Sequence, residues 1–206
     1  MGMKLGSVLA CLIVLVGLFS FTTATTIASS QYKIAVDEGW NLLHGLASVN
    51  QIYLHSEIKS SDITAIYGYS ATEKKYILLY PSQKDSVDIS DLSDSFWVYS
   101  KKSGWIDYYA TKQITAQDKK LSKGWNFVGL TKDIYQLKIK DFKGTCQIEK
   151  IAGYQRQWSI LTDNLDERML ADTEQDLGRG MIVKVSNDCT LSLTNGGISN
   201  PPAIPN

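Results

Sequence analysis

Hydrophobic and polar residues alternate in short runs along most of this chain, with the two-residue period of a half-buried β-strand. The runs are rich in β-branched and aromatic residues, and Gly, Ser, Asp and Asn separate them, as is typical of strands joined by tight turns. They occupy residues 51–58, 64–70, 74–80, 95–101, 136–142, 146–154, 157–161 and 180–186. Only residues 85–94 show a helix-like pattern, sufficient for a turn or two. The pattern predicts an all-β fold.

The chain also contains an internal repeat, because the same landmarks recur 85 positions apart. A single offset recovered at separate places indicates a duplication. We therefore predict two small sandwich-like or barrel-like modules in tandem, at residues 33–110 and 120–194, with the same strand order. The matching landmarks are Gly39-Trp40-Asn41 with Gly124-Trp125-Asn126, Ile66 to Tyr69 with Ile151 to Tyr154, and Val98 with Val183.

The repeated Gly-Trp-Asn lies beside large apolar residues in both copies, which favours a place in the core of each module. A module of this size buries a modest share of its surface, so one Trp, which buries about 150–250 Å², would supply much of its core. In the alternative interpretation, the two Trp side chains are exposed platforms that stack on sugars. The residues predicted to form the core are Trp40, Trp125, Ile66, Ile151, Tyr69 and Tyr154.

The N-terminal segment has the pattern of an export signal. No charged residue occurs between Lys4 and Lys33, residues 8–19 are apolar, and small and hydroxylated residues follow. This order predicts a secretory signal peptide at residues 1–28, with an uncleaved membrane anchor as the alternative. Either outcome places the modules outside the cytoplasm, in the cell envelope or the extracellular space. The Gly, Pro and Asn residues at 195–206 predict a disordered tail.

Two cysteines remain beyond the signal segment, Cys146 and Cys189. A pair of cysteines in an exported domain most simply forms one disulfide. The strand alternation places both side chains toward one interior, which supports the pairing. The alternative is two buried free thiols, since cysteine often behaves as a small apolar residue.

Charge and composition narrow the classes of partner. The chain has 21 basic and 21 acidic side chains, and 44% of its residues are hydrophobic. This balance favours neither nucleic acid nor an acidic membrane surface as a partner. Any contact with a membrane would therefore come from the N-terminal segment, if that segment is uncleaved. No cofactor is expected.

Acidic residues and histidines are the candidates for chemistry. Asp85, Asp88, Asp91 and Asp94 recur every third residue, and clustered carboxylates are the ligands that Ca²⁺ prefers. The alternative is that Asp residues at this spacing cap a helical turn or lie on its solvated side. The two histidines, at 44 and 55, are found in the first module alone, and the sequence favours structural roles for them over a metal site.

Aromatic residues outside the repeated core form a candidate binding site. Trp105, Tyr108 and Tyr109 follow the turn-like residues 101–104, and the second copy has Thr190 and Leu193 at the positions of Trp105 and Tyr108. Clustered Tyr and Trp can stack on sugars or anchor a protein partner. In the alternative interpretation, they form an aromatic strand that packs against the other module.

The order of these motifs resembles that of the tandem Gly-Trp-Asn modules of archaeal and bacterial cell-envelope and surface-layer-like proteins. The resemblance covers residues 36–193. The second copy departs from the family pattern at Met181 and Ile182, where Tyr and Trp are usual, and the first has Ser93 and Ser95 in place of glycines. The resemblance implies an extracellular β-module and does not imply catalysis.

Together, these features predict an exported, non-catalytic protein of the cell envelope with a structural or adhesive role, whose partners are other envelope proteins or surface glycans. A carbohydrate-binding protein that uses exposed aromatic side chains is the first alternative. An envelope hydrolase that uses the Asp clusters is the second. Coplanar exposed aromatic rings along a groove would favour the sugar binder, whereas an apolar patch or an open sheet edge would favour assembly.

Overall fold

A computed structural model of the chain describes residues 31–82, 88–110 and 115–193. The predicted signal peptide at 1–28 and the tail at 195–206 lie outside these described residues. Within the described ranges the chain forms twelve strands, six in each half, and several short helices.

The first module contains β1 (Gln31–Val36), β2 (Gly39–His44), β3 (Ile63–Ser70), β4 (Lys75–Tyr80), β5 (Ser95–Ser100) and β6 (Gly104–Tyr109). The second contains β7 (Lys120–Leu121), β8 (Gly124–Gly129), β9 (Ile148–Gln155), β10 (Gln157–Leu161), β11 (Gly180–Val185) and β12 (Cys189–Thr190). The helices are α1 (Ile139–Phe142) and the 3-10 turns Val49–Gln51, Ser60–Asp62, Ile89–Asp91, Lys132–Ile134, Leu165–Glu167 and Glu174–Asp176.

The two modules have the same antiparallel topology, which confirms the predicted all-β fold and its duplication. Four strands form one sheet in the order β2-β5-β3-β4, and the second module repeats it as β8-β11-β9-β10. A two-stranded ribbon accompanies each sheet, β1-β6 in the first module and β7-β12 in the second. Strands β2, β3 and β5 begin at residues 39, 63 and 95, and their counterparts begin at 124, 148 and 180, so the offset of 85 holds for these three strands. It is 82 between β4 and β10, which begin at residues 75 and 157.

Each module is a small sandwich in which one face of its sheet packs on its own ribbon. In the first module, Leu43, Ile66 and Val98 from the sheet meet Ile34 and Ile106 from the ribbon, and all five are buried. Burying an aliphatic side chain of this size contributes about 1.5–3 kcal/mol. The second module has an equivalent core that includes Val128, Ile151, Val183, Leu121 and Leu191.

The repeated Gly-Trp-Asn serves to fix the turn that leads into the first strand of each sheet. Gly39 has φ +98° and Gly124 has φ +104°, a left-handed conformation that glycine adopts without strain. The amide of Asn41 accepts a hydrogen bond from the backbone N–H of Asp37 (2.9 Å) and donates to the carbonyls of Asp37 and Gly39. Asn126 makes the same three hydrogen bonds one repeat later. The asparagine therefore closes the turn in place of a backbone partner.

The tryptophan of this motif is not a core residue, so the prediction for Trp40 and Trp125 is wrong. Along β2, alternation places Asn41 and Leu43 toward the module core, and Trp40 projects from the opposite face, where it is 37% exposed. Trp125 is half-buried. Tyr154 is also half-buried, and Tyr69 is buried between the modules rather than inside one of them.

The outward faces of the two sheets pack against each other along a seam. Its apolar centre is formed by Leu42, Tyr69 and Phe127, and the rings of Tyr69 and Phe127 stack with centroids 4.7 Å apart. His44 and Gly129 occupy the same position in the two copies, and a Cβ atom on Gly129 would overlap the imidazole of His44. A large residue in one copy therefore fills the space that a glycine leaves in the other.

His44 is buried in this seam without a hydrogen-bond partner on either ring nitrogen. Its imidazole contacts the edge of Tyr32, with centroids 5.5 Å apart. The pKa of His44 is lowered to about 4, first by burial and then by the positive charge of Lys119, while the charge of Asp133 acts in the opposite direction. The imidazole is therefore neutral in the folded protein at neutral pH.

The predicted disulfide between Cys146 and Cys189 is confirmed, with Cα atoms 5.0 Å apart. It joins the segment before β9 to the start of β12 and closes a loop of 43 residues. Strand β12 is only two residues long, so this bond supplements a weak backbone ladder.

We expect that replacing both cysteines by serine lowers the free energy of unfolding by about 2–4 kcal/mol, because the crosslink restricts the unfolded chain. Chemical denaturation of the oxidised protein and of the double variant Cys146→Ser/Cys189→Ser measures this difference. Equal stability of the two proteins would contradict the structural role of the bond.

The stability should depend on pH through His44. The folded protein keeps this group neutral down to a pKa of about 4, while the unfolded chain takes up a proton near its ordinary value of 6.5. Stability is therefore unaffected above pH 6.5 and falls as the pH drops from 6.5 toward 4. At pH 5 the loss should be about 2 kcal/mol relative to pH 7.

Denaturation of the wild type and of His44→Leu at pH 7 and pH 5 isolates this effect, since the carboxylates titrate in both proteins. We expect the variant to lose less stability than the wild type between the two pH values. An identical loss would show that His44 is not the buried neutral group.

Candidate functional site

Six aromatic side chains line a cleft between the two modules, with a volume of about 340 Å³. Four come from the first module and two from the second. They are Trp40, Tyr67, Tyr76, Trp97, Tyr154 and Trp158. We call this surface the aromatic cleft.

The strand register explains how the first module builds its wall of the cleft. Tyr67 and Trp97 lie directly opposite each other on β3 and β5, and Trp97 also pairs with Leu42 on β2. Side chains at such paired positions lie on one face of the sheet and contact each other. Phe96 and Val98 point to the module core, so Trp97 and its neighbours are directed toward the second module.

The opposite wall comes from the hairpin of β9 and β10. Tyr154 and Trp158 pair across this hairpin, and both rings contact Trp97. The residue at the tip, Arg156, has a left-handed backbone (φ +60°), and its guanidinium lies 2.6 Å from the carboxylate of Asp37 in the first module. An exposed ion pair of this kind stabilises by less than about 1 kcal/mol, but it aligns the hairpin over the first sheet.

The rings meet nearly at right angles and so form walls rather than a flat platform. Trp97 lies at the centre, with ring centroids 6.3 Å from Trp40, 4.9 Å from Tyr154 and 5.6 Å from Trp158, at interplanar angles of 81°, 82° and 89°. Each edge-to-face pair adds about 0.5–1.5 kcal/mol beyond burial. The cleft is therefore held in shape by its own rings.

The cleft remains open to solvent although it is lined by large apolar groups. Tyr76 is 55% exposed and Trp158 is 45% exposed, and Trp40 adds to the same surface. Adjacent exposed aromatic side chains are unusual on a protein that acts alone, and such patches mark sites of contact with a partner or ligand.

The second copy does not repeat this surface. At the offset of 85, Tyr67 corresponds to Ala152 and Trp97 corresponds to Ile182. A second cleft related by the duplication would therefore lack two of its aromatic walls. Because packing shared by both modules does not require them, Tyr67 and Trp97 point to a role beyond folding.

The aromatic residues predicted from the sequence as a binding site lie elsewhere, on β6. Tyr108 is fully buried, and its hydroxyl donates to the carbonyl oxygens of His44 (2.8 Å) and Gly178 (3.2 Å). The prediction that Tyr108 contacts a ligand is therefore wrong. Its side chain instead ties the first module to the second.

Trp105 and Tyr109 are exposed, but on the ribbon and away from the aromatic cleft. The ammonium group of Lys33 lies 5.9 Å from the ring centroid of Trp105, and Tyr109 contacts Tyr53 with centroids 5.9 Å apart. The structure does not bring these two residues together with the six residues of the cleft.

Two of the acidic residues proposed as a calcium site, Asp91 and Asp94, line one polar pocket together with Lys119. Asp94 is buried and forms an ion pair with Lys119, whose own pKa burial lowers to about 8. Asp91 is exposed in a 3-10 turn, and Asp85 lies outside the described residues. In the part of the chain that the structure describes, no group of three or more His, Cys, Asp or Glu side chains could hold a metal ion.

His55 and Asp107 form a close pair of titratable groups, with 3.0 Å between the imidazole Nε2 and a carboxylate oxygen. The second carboxylate oxygen accepts a hydrogen bond from the Gln31 amide (2.9 Å), and the His55 ring stacks on Tyr53. Asp107 is buried and His55 is exposed, so this pair anchors a surface histidine to the ribbon.

The described residues contain no helix that is long and apolar enough to cross a membrane. Comparisons of this chain with protein-family models, with curated proteins and with solved structures give no match.

Proposed function

We propose that this chain is a non-catalytic binding protein of the cell exterior, with a structural or adhesive role, and that the aromatic cleft is its contact surface. The observation that carries the proposal is the exposure of Trp40, Tyr76 and Trp158 around one cleft between the modules. Trp and Tyr are the residues that most often dominate the energy of protein contacts.

The rigidity of the cleft supports a binding role. A partner that binds to flexible side chains must order them, which costs about 0.5–1.5 kcal/mol for each. Here Trp97 is already fixed by edge-to-face contacts with Trp40, Tyr154 and Trp158. These side chains are therefore already ordered in the unbound protein.

The chemistry of the lining supports recognition rather than turnover. Its six side chains are Trp and Tyr, which offer apolar faces and single N–H or O–H groups. The buried His44 and the half-buried Lys119, whose pKa values are both lowered by burial, lie near the contact between the modules and not in the cleft. Catalysis usually places such shifted groups in the binding cleft.

The location outside the cytoplasm is supported by two independent features. The apolar segment at residues 8–19 has the order of a secretory signal, and the disulfide between Cys146 and Cys189 is typical of oxidising compartments. The resemblance to tandem Gly-Trp-Asn modules of envelope proteins agrees with this placement. We propose other envelope proteins as the partners.

A surface glycan is the second candidate, favoured by the exposed indoles of Trp40 and Trp158. The angles between the rings favour the protein partner. A sugar chain stacks on rings that lie in one plane along a groove, whereas the pairs around Trp97 are nearly perpendicular. In the described sheets β4 and β10 are edge strands, and each contributes one residue to the cleft, so a second chain could pair with a strand beside it.

We expect that Trp158→Ala weakens binding of the purified protein to isolated cell envelope of its source by about tenfold or more, as the loss of a central aromatic anchor does. Trp105→Ala is the matched control, because both side chains are 45% exposed and only Trp158 lines the cleft. Sedimentation of labelled protein with envelope fragments measures the binding, and thermal unfolding checks that both variants fold.

Protease treatment of the envelope should abolish binding, whereas removal of its polysaccharide should leave binding intact. The reverse result would support the glycan partner. Equal binding by Trp158→Ala and the wild type would contradict the proposal, as would hydrolysis of an envelope component that requires one of the clustered aspartates.

A further inference from the structure

We propose that the aromatic cleft binds the proline-rich segment Pro201-Pro202-Ala203-Ile204-Pro205 of a second copy of this chain. The inference rests on the proposed function, because it names the partner of the same cleft. The aromatic lining of the cleft suits this segment in type of surface, in dimension and in polarity.

The first part of the match is the type of surface. Pro-x-x-Pro segments bind as extended left-handed helices in grooves lined by aromatic side chains. Residues 202–205 have this spacing, and all six residues lining the cleft are aromatic. A proline ring fits between aromatic walls as a compact apolar block, which suits rings that meet at right angles better than rings in one plane.

The second part is the dimension of the cleft. In the extended helix each residue advances about 3.1 Å, so the two prolines of Pro-x-x-Pro lie about 9 Å apart. The ring centroids of Trp40 and Trp158 lie 6.3 and 5.6 Å from that of Trp97, so the separations between neighbouring rings are of the same order as this spacing. The volume of about 340 Å³ is adequate for a short segment and small for a folded element.

The third part is polarity. Residues 194–206 contain no charged side chain, and the cleft lining contains none. A proline-rich segment offers carbonyl acceptors and few N–H donors, whereas Trp and Tyr side chains offer N–H and O–H donors. Hydrogen bonds from the N–H and O–H groups of the cleft to the carbonyl oxygens of the segment are therefore favoured.

The point where the chain leaves the second module favours a second copy over the same chain. Leu193 follows β12, and its backbone N–H donates to the side chain of Gln117 (2.8 Å). The ribbon of β7 and β12 packs on the face of its sheet that points away from the first module, whereas the cleft lies on the opposite face. The eight residues from Leu193 to Pro201 reach at most about 28 Å, which leaves little length for passing around the sheet.

Mixing two defective chains tests the proposal. The chain with Trp158→Ala has an altered cleft and an intact segment, and the chain with Pro202→Ala and Pro205→Ala has an intact cleft and an altered segment. We expect the wild type to associate with rising concentration in sedimentation velocity, and each variant alone to stay monomeric. A mixture of the two should restore association, because each supplies what the other lacks.

A synthetic peptide of residues 198–206 provides the second measurement. It should change the Trp fluorescence of the chain with Pro202→Ala and Pro205→Ala in a saturable manner. The same peptide with both prolines replaced by alanine should bind about tenfold more weakly. Trp105→Ala, added to the chain with the intact cleft, should leave the peptide affinity unchanged.

Absence of peptide binding, or association that survives in both variants alone, would overturn the proposal. A monomeric wild type at all concentrations, with a cleft that becomes accessible to peptide only after the prolines are replaced, would place the segment in its own cleft and overturn the assignment to a second copy. If the peptide fails while Trp158→Ala still loses binding to envelope, the proposed function stands and this inference alone fails.

Discussion

The contact between the imidazole of His44 and the bare backbone of Gly129 sets how closely the two modules approach. Both residues end the first strand of their sheets, at the same position of the repeat. A side chain on both would hold the sheets apart, and a glycine on both would leave a void. The seam, the hairpin of β9 and β10 above it, and the aromatic cleft beneath that hairpin all depend on this complementarity of size.

This contact has a cost that the rest of the seam offsets. His44 loses its hydration without gaining a hydrogen bond on either nitrogen. An unpaired polar group in the interior costs about 1–3 kcal/mol. The stacking of Tyr69 on Phe127 and the hydrogen bond from the Tyr108 hydroxyl to the Gly178 carbonyl act in the opposite direction, and both join the two modules. The two copies thus carry different residues at this position, and the larger residue of one fits against the glycine of the other.

The repeat predicts the fold well because it depends on local chemistry. Alternation in the strands and the offset of 85 define both modules, and the disulfide follows from the phases of Cys146 and Cys189. The sequence does not separate the roles of the residues in Gly-Trp-Asn. Asn41 forms a hydrogen bond with the backbone of its own turn, whereas Trp40 lines a cleft that forms only when the second module packs against the first.

The aromatic cleft could be found only in part from the sequence. In β5, aromatic residues occupy both phases, with Phe96 directed to the core and Trp97 directed away from it. A strand with two apolar faces indicates a second buried or functional surface. The sequence does not show the opposite wall of the cleft, because Tyr154 and Trp158 contact Trp97 only through the packing of the two modules.

If the fit of His44 on Gly129 creates the cleft, a side chain at position 129 should open it. Nuclear Overhauser contacts between aromatic rings in the wild type and in Gly129→Val measure this. We expect contacts from Trp97 to Tyr154 and Trp158 in the wild type, where the ring centroids lie 4.9 and 5.6 Å apart. In the variant these contacts should weaken or vanish, while the contact between Trp40 and Tyr99 inside the first module persists. Unchanged contacts between the modules in Gly129→Val, or their absence from the wild type, would show that the fit of His44 on Gly129 does not create the cleft.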